Sequence, residues 1–215
     1  MNRRTTLPPG LLTILAFALF ALASAQTTPP YVQYLPLIMN PLSAPTLKWQ
    51  RLGCYSSWCE TGWYSSPAVV NLDADPQLEI VASAYSIWAL DGDTGNILWQ
   101  TRSGHDTREN FESVSNVGRT WPGVVVANVD GTGQPEIVTA HSGGWVAVYD
   151  LNGRFKPGWP QRPTTAELRG LLAADLDGDG SSLEIIVTAA IGSKTNTWVY
   201  NANGALRGGW PQLTR

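Results

Sequence analysis

Charge is scarce in this chain. Only 14% of its 215 residues are Asp, Glu, Lys or Arg, and the formal net charge is −3. No basic patch stands out, so nucleic acid is not an expected partner. Two cysteines are present and two histidines, and the soft ligands of a four-coordinate zinc site are missing. No Gly-x-Ser-x-Gly turn or phosphate-cradling glycine loop occurs. After residue 25 no apolar run reaches the roughly 20 residues of a bilayer span, and no segment keeps a helical period. The abundant residues are ten Trp, 21 Gly and 15 Pro, which suit many short strands and tight turns.

The long apolar run, residues 11–22, follows Arg3 and Arg4 and ends at Ala23-Ser24-Ala25. A basic start, a short apolar stretch and a small-x-small exit predict a signal peptide over residues 1–25, cleaved after Ala25. An uncleaved anchor is the alternative. The expected location is secreted or cell surface, with no transmembrane span after cleavage. Residues 26–46 are Pro-rich and uncharged, the composition of a semi-rigid linker. Residues 47–215 suffice for one domain with a real core. In an exported chain the close pair Cys54 and Cys59 reads as a local disulfide, with a metal pair as the competing reading.

Three segments, approximately 65–104, 121–163 and 169–215, can be laid over one another. Each has an apolar strand, an acidic loop, a second strand beginning Glu-Ile, and a third strand with Trp88, Trp145 or Trp198. An Asp/Asn/Gly hairpin follows, then a last strand with Trp99, Trp159 or Trp210. Such a period implies a unit that cannot bury its faces alone, and four short antiparallel strands per unit make a propeller blade. The expected fold is all-β, with about three four-stranded antiparallel blades. That is a partial propeller, because closed ones have about four to eight blades. LKWQRLG, from Leu47, resembles the later ILWQTRSG and is expected to be the outer strand of a further blade. A fragment of a longer propeller, a truncated product, or a chain that oligomerises to close its propeller would fit this pattern.

Nine of the 17 acidic residues sit in the three loops. The first loop offers Asn71, Asp73, Asp75 and Glu79. The second offers Asn128, Asp130, Thr132 and Glu136, and the third Asp175, Asp177, Asp179 and Glu184. Alternate positions of a tight turn converge on one centre, and hard cations take six to eight oxygens. Without a cation, carboxylates so close together repel. The pattern predicts Ca²⁺ at these residues, with the backbone carbonyls of Gln77, Gln134 and Ser181 as further ligands. The second loop has only two carboxylates and is expected to bind most weakly. An EF-hand is excluded, because Ile186 stands where that loop needs its bidentate Glu.

The segments NVDGTGQPEIV and DLDGDGSSLEIIV resemble the FG-GAP or VCBS-type repeats of integrin-α-like β-propellers, and the resemblance extends over residues 65–215. It implies calcium in the loops between first and second strands, in a secreted or cell-surface protein. Pro76 in place of Gly, and one extra residue before Glu184, depart from the pattern. SIWALDGDTGNILWQ is similar to a quinoprotein propeller repeat, which implies that Trp99 docks between blades and does not imply a bound quinone. The expected function is a calcium-binding module for an extracellular protein or polysaccharide, and not an enzyme. The alternative is part of an extracellular propeller enzyme, a polysaccharide lyase or hydrolase or a quinoprotein. His105 and Asp106 lack a nucleophile context and are read as exposed loop residues. Their insertion, SGHDTRENFESVSNVGRT, is the expected variable binding loop. Trp58 and Trp63 are candidates for a ligand surface.

Overall fold

Short runs of β-branched and aromatic residues between Asp, Asn and Gly turns form strands, because branched side chains suit a pleated surface and the turn residues tolerate positive φ. A computed structural model describes residues 45–53, 59–60, 64–191 and 194–213. Among these residues there are eleven strands and no helix. The first sheet contains β1 (Ala68–Val70), β2 (Glu79–Ser83), β3 (Ser86–Asp91) and β4 (Ile97–Arg102), in that order. The second has β5 (Val125–Ala127), β6 (Glu136–Ala140) and β7 (Val146–Tyr149), again in chain order. The third has β8 (Leu168–Ala174), β9 (Glu184–Ile191), β10 (Lys194–Tyr200) and β11 (Gln212–Leu213). All pairings are antiparallel. Each sheet coincides with one of the three repeated segments, so the chain is an all-β partial propeller of consecutive blades.

The outer strands of the second and third blades are shorter than the sequence predicts. In the second blade the fourth strand survives only as the bridges Val146–Gln161 and Tyr149–Phe155. In the third it is the two-residue β11. Proline explains this: Pro157, Pro160 and Pro211 offer no N–H to a ladder. The peptide bonds before Pro160 and Pro211 are cis. Residues 47–53 form no strand either, although Trp49 retains the role described below.

The second sheet is buried on both faces, and the period of two sorts its side chains. Ile137, Ala147 and Tyr149 join Val70, Val81 and Ile87 in one cluster. Val138, Ala140, Val146 and Val148 join Leu168, Ile185 and Val187 in another. This is why every residue of EIVTA and VAVY is buried, whereas β2 alternates buried and half-buried.

Neighbouring blades are joined by tryptophans. The indole Nε1 of Trp49 donates to the Gly92 carbonyl at 3.0 Å. Trp99 donates to Leu151 at 2.9 Å and Trp159 to Ala202 at 2.8 Å. In each case an indole from one unit binds the hairpin of the next. The hairpin glycine is needed for two reasons. Gly95 and Gly153 both have φ of 71°. A Cβ there would also lie 2.6 Å from the Trp49 ring and 2.7 Å from the Trp99 ring.

His141, at the end of the second blade's middle strand, is fully buried. Thr120 Oγ1 lies 3.0 Å from its Nδ1 and Thr139 Oγ1 3.0 Å from its Nε2. Ser83 Oγ extends the chain of hydroxyls, 2.6 Å from Thr120. Burial pushes the imidazole pKa down to about 3. The folded state therefore refuses a proton that the unfolded chain accepts near 6.5. Stability is whole above pH 6.5 and falls as pH drops from there toward 3, by up to about 1.4 kcal/mol per pH unit from this group. Urea midpoints between pH 7 and 4.5 should decline accordingly, while the His141 ring resonances of the folded protein stay at their neutral positions. A His141 resonance titrating near 6.5 in the folded state would contradict this.

Candidate functional site

The three acidic loops each connect the first and second strands of a blade, and each closes on a buried glutamate. β2, β6 and β9 begin at Glu79, Glu136 and Glu184, which are 2%, 2% and 3% exposed. In every loop the glutamate Oε2 accepts a backbone N–H from the loop's second residue: Leu72 at 2.6 Å, Val129 at 2.8 Å and Leu176 at 2.8 Å. A charged acceptor for a buried N–H is among the stronger hydrogen bonds. The glutamate thus fixes where the loop ends and the strand begins.

In the first loop, Asp73, Asp75 and Glu79 each bring a carboxylate oxygen within 4.8 Å of the others. Asn71 is tied into the turn, its Oδ1 accepting from Ala74 N at 2.6 Å and its Nδ2 donating to the Asp75 carbonyl. Ala74 adopts φ of 65°, a conformation costly for a residue with a Cβ. Asp73 accepts from Asp75 N and Asp75 from Gln77 N. Among the described residues no ion pair reaches these carboxylates.

In the third loop, Asp175, Asp177 and Glu184 converge in the same way, within 4.8 Å. Asp179 is not part of this group; its carboxylate accepts from Ser181 N at 2.7 Å and Ser181 Oγ at 2.8 Å. Backbone N–H groups of Gly180 and Gly178 hold the Asp175 carboxyl below its ordinary pKa, and the Ser181 N–H and hydroxyl do the same for Asp179. Arg207 also enters: its Nη1 lies 3.1 Å from Asp177 Oδ2 and 2.7 Å from Glu184 Oε1.

The second loop is different. Asp130 and Glu136 are its only carboxylates, and Lys156 Nζ lies between them, 2.6 Å from Asp130 Oδ2 and 3.0 Å from Glu136 Oε1. Asn128 and Thr132 are neutral, and Asn128 Oδ1 accepts from Gly133 N at 3.2 Å. Burial pushes the Asp130 carboxyl up, but the hydrogen bonds from Lys156 and then Thr132 outweigh it and hold the group below its usual value. The same bond to Asp130 raises the Lys156 ammonium, against burial and with help from Glu136.

Three carboxylates converge in the first loop and three in the third, where Arg207 meets two of them, so both could hold a metal ion. The second and third loops sit side by side: Leu183 N donates to the Val129 carbonyl at 2.8 Å. A groove of about 730 Å³ runs between them, lined by Asp130, Lys156, Asp177, Asp179 and Asn203 among others.

Lys156 and Arg207 were not singled out in the sequence. The aligned repeats do carry the signal: each basic residue stands seven places after the last tyrosine of its third strand, Tyr149 or Tyr200.

The start of the insertion between the first two blades is tied into the fold, while Arg108, Glu109, Asn110, Glu112, Ser113 and Ser115 remain exposed. Asp106 is 2% exposed, accepts from Phe155 N at 3.0 Å and pairs with Arg108. Thr107 N donates to Gly153 at 3.0 Å and its hydroxyl to Asn152 at 2.8 Å. His105 lies 2.9 Å from Glu109 through Nδ1. The sequence reading of His105 and Asp106 as exposed is therefore corrected for Asp106, a structural carboxylate that secures the second hairpin. Cys59 is not a free thiol; its expected partner Cys54 lies outside the described residues, as do Trp58 and Trp63.

Residues 128–187 match the family model of the FG-GAP-like repeat. They span the second loop, β6, β7, β8 and the third loop. No curated protein matches the sequence. Among solved structures the chain is similar to BBS1N, crystallised in complex with ARL6DN, at 10% identity and a TM-score of 0.46, covering 69% of this chain and 44% of that one. It is also similar to BamB from Moraxella catarrhalis at 13% identity and a TM-score of 0.38, covering 75% of this chain and 47% of that one. The chain thus spans less than half the length of both.

Proposed function

Starting from the FG-GAP-like repeat at its centre, we propose that this chain is an exported calcium-binding β-propeller module that presents a surface to an extracellular protein or polysaccharide and is not itself an enzyme. The observation that carries this reading is the convergence of three carboxylates in the first loop and three in the third. Such groups repel one another in the absence of a cation, and in the third loop the single guanidinium of Arg207 offsets part of that charge. Asp73, Asp75 and Glu79, with Asn71, would hold one ion; Asp175, Asp177 and Glu184 would hold another, with Asp179 shaping the turn. The ion would supply charge neutralisation and a fixed turn, not chemistry on a substrate.

Export rests on the signal-peptide pattern of residues 1–25. It sets an oxidising context in which Cys54 and Cys59 pair. Among the described residues no helix is long and apolar enough to cross a membrane. Of the His105–Asp106 pair that a catalytic reading would use, Asp106 is held by Phe155 N and Arg108.

Thermal melting in millimolar calcium and in chelator tests the calcium reading. Calcium is expected to raise Tm. A site at one hundred times its Kd contributes about 2.7 kcal/mol. Asp177→Ala should remove the third loop's share of that gain. Identical melting in calcium and in chelator would defeat the reading.

A further inference from the structure

Lys156 and Arg207 occupy equivalent places in successive blades. Each backbone N–H donates to a third-strand carbonyl, Lys156 to Val148 at 2.9 Å and Arg207 to Val199 at 2.8 Å. Each side chain then reaches back across the blade to the third-position aspartate and the terminal glutamate of the acidic loop. The geometry repeats, but the charge balance does not. Both carboxylates of the second loop are engaged by one ammonium. The third loop has four carboxylates against one guanidinium, and the first has three with no ion-pair partner among the described residues.

We propose that Lys156 is the resident cation of the second loop, closing it without a metal ion and confining calcium to the first and third loops. This rests on the calcium reading of those two loops. The ammonium sits where an ion would have to sit, on Asp130 Oδ2 and Glu136 Oε1, and it carries donors only, so it cannot become a ligand. A divalent ion would have to displace it or share the site against like-charge repulsion. Asn128 and Thr132 offer no compensating charge. The second blade is thereby independent of calcium, while its neighbours are not. In the third loop the single guanidinium leaves most of the carboxylate charge uncompensated, so it moderates calcium affinity without replacing the ion.

Calcium stoichiometry of the full chain, by isothermal titration, tests this. The wild type is expected to bind two ions, Lys156→Met three, and the charge-preserving Lys156→Arg two. In chelator Lys156→Met should melt below the wild type, and calcium should restore the difference. Lys156→Met leaves Glu136 without its counter-charge and could fold poorly, so a second variant keeps Lys156: Asp73→Asn with Asp177→Asn is expected to bind no calcium. Three ions on the wild type, or one remaining on that double variant, would overturn the inference and leave the calcium reading standing. A wild type that binds none, with one gained by Lys156→Met, would sink the reading of the first and third loops and uphold the role of Lys156. No binding by either protein would overturn both.

Discussion

Trp159→Ala is expected to destabilise the protein by about 3–5 kcal/mol, the cost of emptying a large aromatic site in a core. The residue is 7% exposed and belongs to the cluster between the second and third blades. Its ring meets Tyr200 edge-on, with centroids 5.8 Å apart. Its indole N–H holds the Ala202 carbonyl of the next hairpin. Truncation therefore opens a cavity and also frees the Ala202 carbonyl of the third blade. Chemical denaturation should show a fall in the midpoint. Trp159→Phe, which keeps a ring but no donor, should cost less. A loss below about 1 kcal/mol for the alanine variant would place this residue outside the class of core aromatics.

Glu136→Ala is expected to cost about 1–3 kcal/mol, the cost of leaving a buried donor unsatisfied. The side chain is 2% exposed. Its Oε2 accepts from Val129 N at 2.8 Å and Asp130 N at 3.3 Å, and its Oε1 meets Lys156. Alanine leaves a buried N–H unpaired and takes from Lys156 one of its two counter-charges. Glu136→Gln retains an acceptor for Val129 and should be milder. Equal losses for Ala and Gln in urea denaturation would show that charge alone matters, and that the bond to Val129 does not.

Much of the architecture was legible in the residues. Strands two, six and nine begin at the glutamates of the Glu-Ile pairs, because each glutamate also fastens the backbone at the base of its loop. The alternating oxygen side chains marked two loops whose carboxylates do converge. Trp99 docks between blades, as its repeat pattern implied. What escaped notice depends on distance along the chain. Lys156 lies 20 residues from Glu136, and Arg207 lies 30 from Asp177. Their relevance emerges only when the hairpin folds back over the loop. Asp106 sits in a polar stretch that looks solvent-exposed, and its burial depends on Phe155, 49 residues away. The fourth strands looked complete because the repeats align well there, but an alignment does not register that proline cannot donate to a ladder.

The indole bonds from Trp49, Trp99 and Trp159 have a consequence for how such a chain can be rebuilt. Each unit offers the next a plug at its exit, and each hairpin offers a backbone socket that is indifferent to side-chain identity. Exchange of units of unequal length therefore keeps this joint, provided the apolar faces between blades also match and, at Gly95 and Gly153, the glycine that makes room for the plug is kept.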